Sequence, residues 1–187
     1  MEHKEEGLLE LDQEQAAVIP KEESKLKSVD YTNVSERSIA DLASSISKLA
    51  EVKIELEKRM IEAITKNEEI KKRLESLETA GVIQIDHEQS KHFEQSIKTY
   101  LGLLYNITQE LTEEIEFFKP FFATPRPATI QIPEQSNFDA ADFVKVSAEA
   151  MRRHAKTVNK GMVVSYSRYG YSLDSQLKQL SILEKRK

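Results

Sequence analysis

The chain has 187 residues, with 27 Lys and Arg against 32 Asp and Glu, and a formal net charge of −5. It contains no Cys, five Gly and five Pro. Without Cys it can have no disulfide framework, Cys-ligated zinc site or thiol nucleophile, and its net negative charge argues against nucleic acid as a partner. Because Gly and Pro punctuate strand-rich and α/β folds, their scarcity predicts an all-α protein with long, uninterrupted helices.

The first 30 residues form an acidic segment in which nine Asp and Glu stand against four Lys. Its scattered apolar residues bury too little surface to offset the entropy cost of ordering the segment. We therefore expect residues 1–30 to be a disordered tail and residues 31–187 to form one helical domain.

Neither a secretory signal nor a membrane span is recognisable in the sequence. The first six residues, Met-Glu-His-Lys-Glu-Glu, lack the apolar core of a signal peptide. The longest apolar runs, such as residues 117–122, are far below the ~20 residues that a spanning helix requires. We expect a protein that is not integral to a membrane and that is cytoplasmic, or exported without a classical signal peptide.

A heptad repeat in residues 35–80 predicts the first helix. Alternating steps of three and four from Ile39 reach twelve positions, ten of them apolar, which is the pattern of a coiled-coil seam. These positions are Ile39, Leu42, Ile46, Leu49, Lys53, Leu56, Met60, Ala63, Asn67, Ile70, Leu74 and Leu77. Ser35 or Asn33 is a candidate N-cap, and Gly81 occupies the place of a C-cap glycine. At 1.5 Å per residue the helix would extend roughly 70 Å, which predicts an elongated molecule.

Polar residues interrupt the seam, and apolar residues lie outside it. Lys53 and Asn67 occupy a positions, where they either set the helix register by penalising wrong pairings or mark a loosely packed layer that admits water. Four apolar residues lie off the seam: Val52, Ile54, Ile61 and Ile64. A helix with two apolar sides packs against two neighbours, which favours a helical bundle over a lone two-stranded coiled coil.

The second predicted helix covers residues 86–119. Asp86 and Gln89 resemble a capping box at its start, and Pro120 ends it. Its seam contains Phe93, Ile97, Tyr100, Leu104, Ile107, Leu111, Glu114 and Phe118. Because the link from residue 79 to residue 85 is short, helices 1 and 2 should form an antiparallel hairpin.

Residues 120–137 are rich in Pro and predict a long loop. The stretch Thr129–Ile132 has the composition of an extended segment, but its shortness and Pro133 argue against a strand. A loop of about 18 residues is long for a compact bundle, so it either has a function or covers a helix end.

The third predicted helix covers residues 138–186 and starts at Asn137 or Asp139. Its seam contains Val144, Ala148, Met151, Ala155, Val158 and Met162, and then shifts to Tyr166, Tyr169, Leu173, Leu177 and Leu180. The shift indicates a stutter. It is flanked by Gly161 and Gly170, each of which costs about 1 kcal/mol relative to Ala in a helix, so a kink or a break is expected there.

Charge distinguishes the last two helices. Residues 86–119 hold seven acids and three bases, whereas residues 138–187 hold five acids and ten bases. We expect the acids near the end of helix 2 to face basic side chains of helix 3 in an antiparallel pairing. The acids are Glu110, Glu113, Glu114 and Glu116, and the bases are Lys145, Arg152, Arg153 and Lys156.

The sequence contains no pattern that carries catalysis or binds a cofactor. The four His do not have the i, i+4 spacing that places two metal ligands on one helix face. Phosphate-binding Gly loops, nucleophile elbows and zinc motifs are absent. We therefore predict a non-enzymatic protein without metal, cofactor or small-molecule substrate.

Two aromatic clusters are candidate interaction surfaces. The first contains Phe117, Phe118, Phe121 and Phe122 and either docks a partner or a membrane interface, or closes the end of the core. The second contains Tyr166, Arg168, Tyr169 and Tyr171, residue types favoured at interface hot spots, or else a seam that widens at the stutter.

Together these features predict an elongated antiparallel bundle of about three long helices. Its function is predicted to be that of a coiled-coil scaffold or assembly subunit, which binds a protein partner or itself through helix–helix contacts. The alternative is a membrane-acting helical protein, such as a component of an α-helical pore-forming toxin or a membrane remodeller. The Phe cluster motivates this alternative.

Overall fold

The computed structural model describes residues 25–186. Its elements are β1 (Leu26–Asp30), α1 (Glu36–Thr79), α2 (His87–Phe118), a 3-10 turn (Lys119–Phe122), β2 (Thr129–Pro133), α3 (Ala140–Ser165), a π-helical segment (Tyr166–Gly170) and α4 (Tyr171–Glu184). Three long packed helices dominate, since α3, the π segment and α4 follow one another without a break, and the predicted all-α bundle is confirmed. The predicted disordered tail lies outside the described residues up to Ser24.

Side-chain and glycine caps set the helix ends close to the predicted boundaries. The Oγ atom of Ser35 accepts a hydrogen bond from the Ser38 amide at 3.2 Å at the start of α1. Asp86 and Asp139 accept comparable bonds from the first turns of α2 and α3. Each of these side chains satisfies an amide that has no partner within its helix.

Gly81 ends α1 with a left-handed backbone, at φ 73°. The Val82 amide donates to the Leu77 carbonyl and the Gly81 amide donates to the Glu78 carbonyl, both at 3.0 Å. This is the Schellman pattern, which satisfies two carbonyls that the helix leaves unpaired. The predicted role of Gly81 as a C-cap is confirmed.

The core follows one position of the predicted heptad. In α1 every seventh residue is buried, and none of these side chains is more than 2% exposed. They are Leu42, Leu49, Leu56, Ala63, Ile70 and Leu77. The a positions, including Lys53 and Asn67, are half-buried at the margin of the core. An equivalent series in α2 contains Ile97, Leu104, Leu111 and Phe118.

The chain divides into two compact units, each with segments of all three long helices. Unit 1 contains residues 1–53, described from residue 25, and residues 109–159; unit 2 contains residues 54–108 and 160–187, described to residue 186. In unit 2, ion pairs join α4 to α1 in parallel order: Lys66 with Asp174 and Arg73 with Glu184, both at 2.7 Å.

Within each unit α2 is antiparallel to its neighbours, as predicted. In unit 2 the Lys71 ammonium binds Glu94 at 2.7 Å, and the Thr108 hydroxyl contacts the Met60 sulfur at 3.9 Å. Residue numbers along α1 therefore decrease in the direction in which those along α2 increase, so the two helices are antiparallel. In unit 1, the contacts of Glu114 with His154 and of Phe118 with Phe143 establish the same relation between α2 and α3.

A small antiparallel sheet in unit 1 corrects two expectations. Residues 26–30, which we assigned to the tail, form β1 and pair with β2 at Thr129–Pro133, where we expected a loop. Pro133 is tolerated because it is the last residue of its strand and each strand of a two-stranded sheet is an edge. The composition of β2 alone does not reveal the strand, because its partner lies about 100 residues earlier in the chain.

The ion pairs of Arg152 and Arg153 also differ from the expected pairing of helices 2 and 3. The Arg152 guanidinium binds Asp41 of α1 at 2.9 Å, and Arg153 binds Glu149 of its own helix. Glu114, which is 1% exposed, instead meets His154 Nδ1 at 2.7 Å. The expected pairing of Arg152 and Arg153 with the acids of helix 2 is therefore wrong, because the rotation of α3 decides which side chains meet.

Replacement of Ile97 tests the core assignment. Ile97 is 1% exposed, and we expect Ile97→Ala to lower the free energy of unfolding by about 2–5 kcal/mol. Ile182→Ala removes the same atoms at a position that is 52% exposed, so its effect should stay within about 0.5 kcal/mol. Urea unfolding followed by circular dichroism measures both, and equal losses would contradict the assignment.

Candidate functional site

The Phe cluster belongs to the core of unit 1. Phe118 and Phe121 are 0% and 2% exposed, whereas Phe117 and Phe122 are half-buried. The centroids of the Phe118 and Phe121 rings lie 5.3 Å apart, within the range in which aromatic pairs attract each other. Both rings also lie 6.2 Å from the ring of Phe143.

The segment after β1 completes this aromatic cluster. Tyr31 is fully buried, its ring meets Phe121 edge-on at 5.5 Å, and its hydroxyl donates to the Phe121 carbonyl at 3.1 Å. Of the two alternatives for the Phe cluster, closure of the core therefore applies to Phe118 and Phe121. This burial leaves only Phe117 and Phe122, both half-buried, as support for membrane action.

The second cluster coincides with the π-helical segment. A π turn inserts one residue into an α-helix, and such turns are frequent at functional sites. The predicted stutter near Gly170 therefore takes the form of a π turn. Of the expected kink or break, the break is wrong, because the backbone stays helical through Gly161 and Gly170.

Gly170 lets two tyrosine rings pack directly against the helix backbone. A Cβ atom at this position would lie 2.7 Å from Tyr166 Cδ2 and 3.1 Å from Tyr100 Cζ. The first distance is too short for any real Cβ contact, and the rings occupy the space that a larger residue requires. The glycine is thus required by packing, and not by its backbone angle.

Tyr166 turns inward and joins a polar network in unit 2. Its hydroxyl donates to Asp174 Oδ2, and the Lys66 ammonium donates to Asp174 Oδ1 at 2.7 Å. Lys66 also pairs with Glu62 at 3.1 Å. The sequence offered no signal for this network, because 108 residues separate Lys66 from Asp174.

The network shifts the pKa values of its members in consistent directions. Hydrogen bonds from Lys66 and then Tyr166 lower the pKa of Asp174. The hydrogen bond to Asp174 raises the pKa of Lys66 and, together with burial, that of Tyr166. Around neutral pH the three groups are therefore held as ammonium, carboxylate and neutral phenol.

The other members of the second cluster lie nearer the surface. Arg168 is exposed, Tyr169 is half-buried and Tyr171 is 62% exposed. Tyr171 and Ile182 are eleven residues, or three turns, apart and therefore lie on one side of α4. The cluster is thus divided, with Tyr166 contributing to packing and Arg168 and Tyr171 to the surface.

Three isoleucines of α1 form an exposed apolar stripe in unit 2, which we call the outward stripe. Ile54, Ile61 and Ile64 are 52%, 66% and 44% exposed. Ile54 and Ile61 are seven residues apart and lie about 160° around the helix from the buried series that contains Leu56. We expected a second apolar side that packs against a second neighbour within the bundle, but these three side chains remain exposed, whereas Val52 is buried.

The two polar seam residues differ in their surroundings. The Asn67 side chain is half-buried, and its Oδ1 atom is buried without a hydrogen-bond partner. Lys53 lies at a half-buried position and does have an interaction partner. An unpaired buried carbonyl is costly, so Asn67 is a constraint on packing, and the register-setting role of both residues stays a prediction.

Residues 25–186 contain no group of three or more His, Asp and Glu placed to hold a metal ion. Within the same range, none of the helices is both long and apolar enough to cross a membrane. No protein-family model, curated protein or solved structure matches the chain.

Gly170→Ala tests the packing at the π segment. The new methyl group must displace Tyr166 or Tyr100, so we expect a loss of about 1–3 kcal/mol in the free energy of unfolding. The matched control is Gly161→Ala, whose Cβ meets nothing within 4 Å, and which should gain about 0.5–1 kcal/mol from helix propensity. Chemical denaturation measures both, and a stabilised Gly170→Ala variant would refute the packing argument.

Asp174→Asn tests the polar network through its pH dependence. A carboxyl whose pKa is lowered on folding stabilises the protein above its ordinary pKa, and this contribution is lost as the pH falls through the folded value. The pair with Lys66 is partly exposed, so we expect the variant to lose at most ~1 kcal/mol near neutral pH. The difference from wild type should shrink when urea unfolding is repeated at about pH 3. A difference that is the same at both pH values would show that charge is not involved.

Proposed function

We propose that this protein is a non-enzymatic assembly subunit that associates with a second copy of itself through the outward stripe. The exposure of Ile54, Ile61 and Ile64 is the observation that carries the proposal. Burying an aliphatic side chain of this size contributes about 1.5–3 kcal/mol, so one side of α1 gains stability when another helix covers it.

The charges beside the stripe favour a second copy in antiparallel orientation. Lys58, Glu68 and Lys72 are exposed and lie on the same side of α1 as Ile61. An antiparallel approach of two α1 helices, centred near residue 63, brings Lys58 of each copy towards Glu68 of the other and places Ile61 and Ile64 of both copies at the middle of the contact. Such a contact is isologous, the commonest symmetry among soluble oligomers, and opposite charges at its rim select orientation.

Other proposed functions have less support. The predicted membrane action was motivated by a Phe cluster of which Phe118 and Phe121 are buried. A different helical chain could cover the outward stripe, but nothing in the charges of α1 selects such a chain over a second copy. We also propose that the protein works in an aqueous compartment and needs no cofactor.

Sedimentation velocity over a range of concentrations tests the proposal. We expect a mass above the monomer value of 21.4 kDa, and Ile54→Glu with Ile61→Glu should raise the dissociation constant by at least about tenfold, since about 1.4 kcal/mol corresponds to each factor of ten. The matched control, Val163→Glu with Ile182→Glu, changes two other exposed apolar residues of unit 2 and should leave association intact.

Charge exchange tests the antiparallel geometry. Lys58→Glu alone and Glu68→Lys alone should each weaken association, and the two changes in one chain should restore it because the pair reforms across the interface. A wild-type protein that stays monomeric contradicts the proposal of self-association. Equal weakening by the stripe and control variants would contradict the choice of surface.

A further inference from the structure

A basic groove runs along α1 and α3 in unit 1. Its volume is about 480 Å³, and four bases and two acids line it together with apolar and amide side chains. The charged lining residues are Lys48, Arg152, Arg153, Lys156, Glu51 and Glu149. The groove is therefore a positive concavity in a protein whose net charge is −5.

Internal ion pairs leave part of this positive charge available. Arg152 binds Asp41 and Arg153 binds Glu149. Lys48 and Lys156 are exposed and form no ion pair within residues 25–186. Two ammonium groups on facing helices thus suit a ligand that carries several carboxylates.

The N-terminal segment of the chain has the complementary composition. Residues 1–24 contain eight Asp and Glu and two Lys, so their formal charge is −6. We propose that the N-terminal segment, residues 1–24, binds in the basic groove of its own chain. The ligand is then an acidic peptide supplied by the protein itself, which competes with any other acidic ligand for the same groove.

The point at which the segment joins unit 1 allows this contact. The Glu134 amide donates to the Lys25 carbonyl at 2.8 Å, so the chain enters beside the segment that leads into α3. From Glu134, five linking residues and ten helical residues lead to Glu149, which places the groove within about 40 Å of Lys25. An extended chain of 24 residues spans up to about 80 Å, so the acids reach the groove.

Tethering makes weak charge pairs sufficient for binding. A segment joined to its site by a short linker experiences an effective concentration in the millimolar range. The attraction between exposed charges depends on salt, since the Debye length falls from about 10 Å at 0.1 M to about 3 Å at 1 M ionic strength. The contact is therefore expected to be reversible and sensitive to salt.

Paramagnetic NMR on the full chain tests the proposal. Because the protein has no Cys, Gln13→Cys provides a single site for a nitroxide label. We expect loss of amide signal intensity along residues 149–159 at low salt, and recovery at about 1 M salt. Lys48→Glu with Lys156→Glu should abolish this loss, because the groove then repels the segment.

The matched control is Arg37→Glu with Lys145→Glu, which changes two exposed bases of the same helices outside the groove lining and gives the same net charge. The control should keep the loss of intensity. Equal recovery in both variants would indicate general attraction and overturn the proposal, as would intensities unaffected by the label. Broadening that disappears on dilution with unlabelled chain would assign the segment to a second copy instead. The outward stripe is unchanged in all these variants, so their results do not test the proposed self-association.

Discussion

Burial of an aliphatic side chain at every seventh position of α1 and α2 is the constraint on which the rest of the structure depends. Leu42, Leu49 and Leu56 begin this series in α1 and are fully buried. A helix shows the same side at every second turn, so such a series specifies one buried line along a long helix. The half-buried a positions beside it, where Lys53 and Asn67 occur, tolerate polar residues because they lie at the margin of the core.

Aromatic side chains fill two regions that the buried aliphatic series of α1 and α2 does not fill. In unit 1, where α2 ends, Phe118, Phe121 and Tyr31 fill the space beside α3 with tilted and edge-on rings. In unit 2, Tyr100 and Tyr166 close against Gly170, and the π turn at this point changes the phase of the third long helix. The glycine and the aromatic rings therefore depend on one another, since a methyl group would require the space that a ring occupies.

The surface features that support a function lie on helix sides that the core does not use. Ile54 and Ile61 of the outward stripe follow the same seven-residue spacing as the core but on nearly the opposite side of α1, so this helix has one buried and one exposed apolar line. The basic groove likewise arises because α3 turns Arg152 towards α1 and not towards the acids of α2. In both cases the sequence contains the apolar or basic residues, whereas the rotation of the helices determines whether those residues are exposed and which side chains they contact.

The sequence by itself determined the number, limits and caps of the long helices. The heptad spacing repeats within each helix, and Ser35, Asp86 and Gly81 cap the helix ends through hydrogen bonds between residues a few positions apart. It also placed the irregularity near Gly170, although not its π geometry. Only the tertiary structure decided that residues 26–30 pair with β2, that Phe118 and Phe121 are buried while Ile54 and Ile61 are exposed, and that Lys66 meets Asp174. These outcomes join residues up to 108 positions apart or depend on helix rotation, and the local spacing of residues does not determine which side of a helix its neighbours will cover.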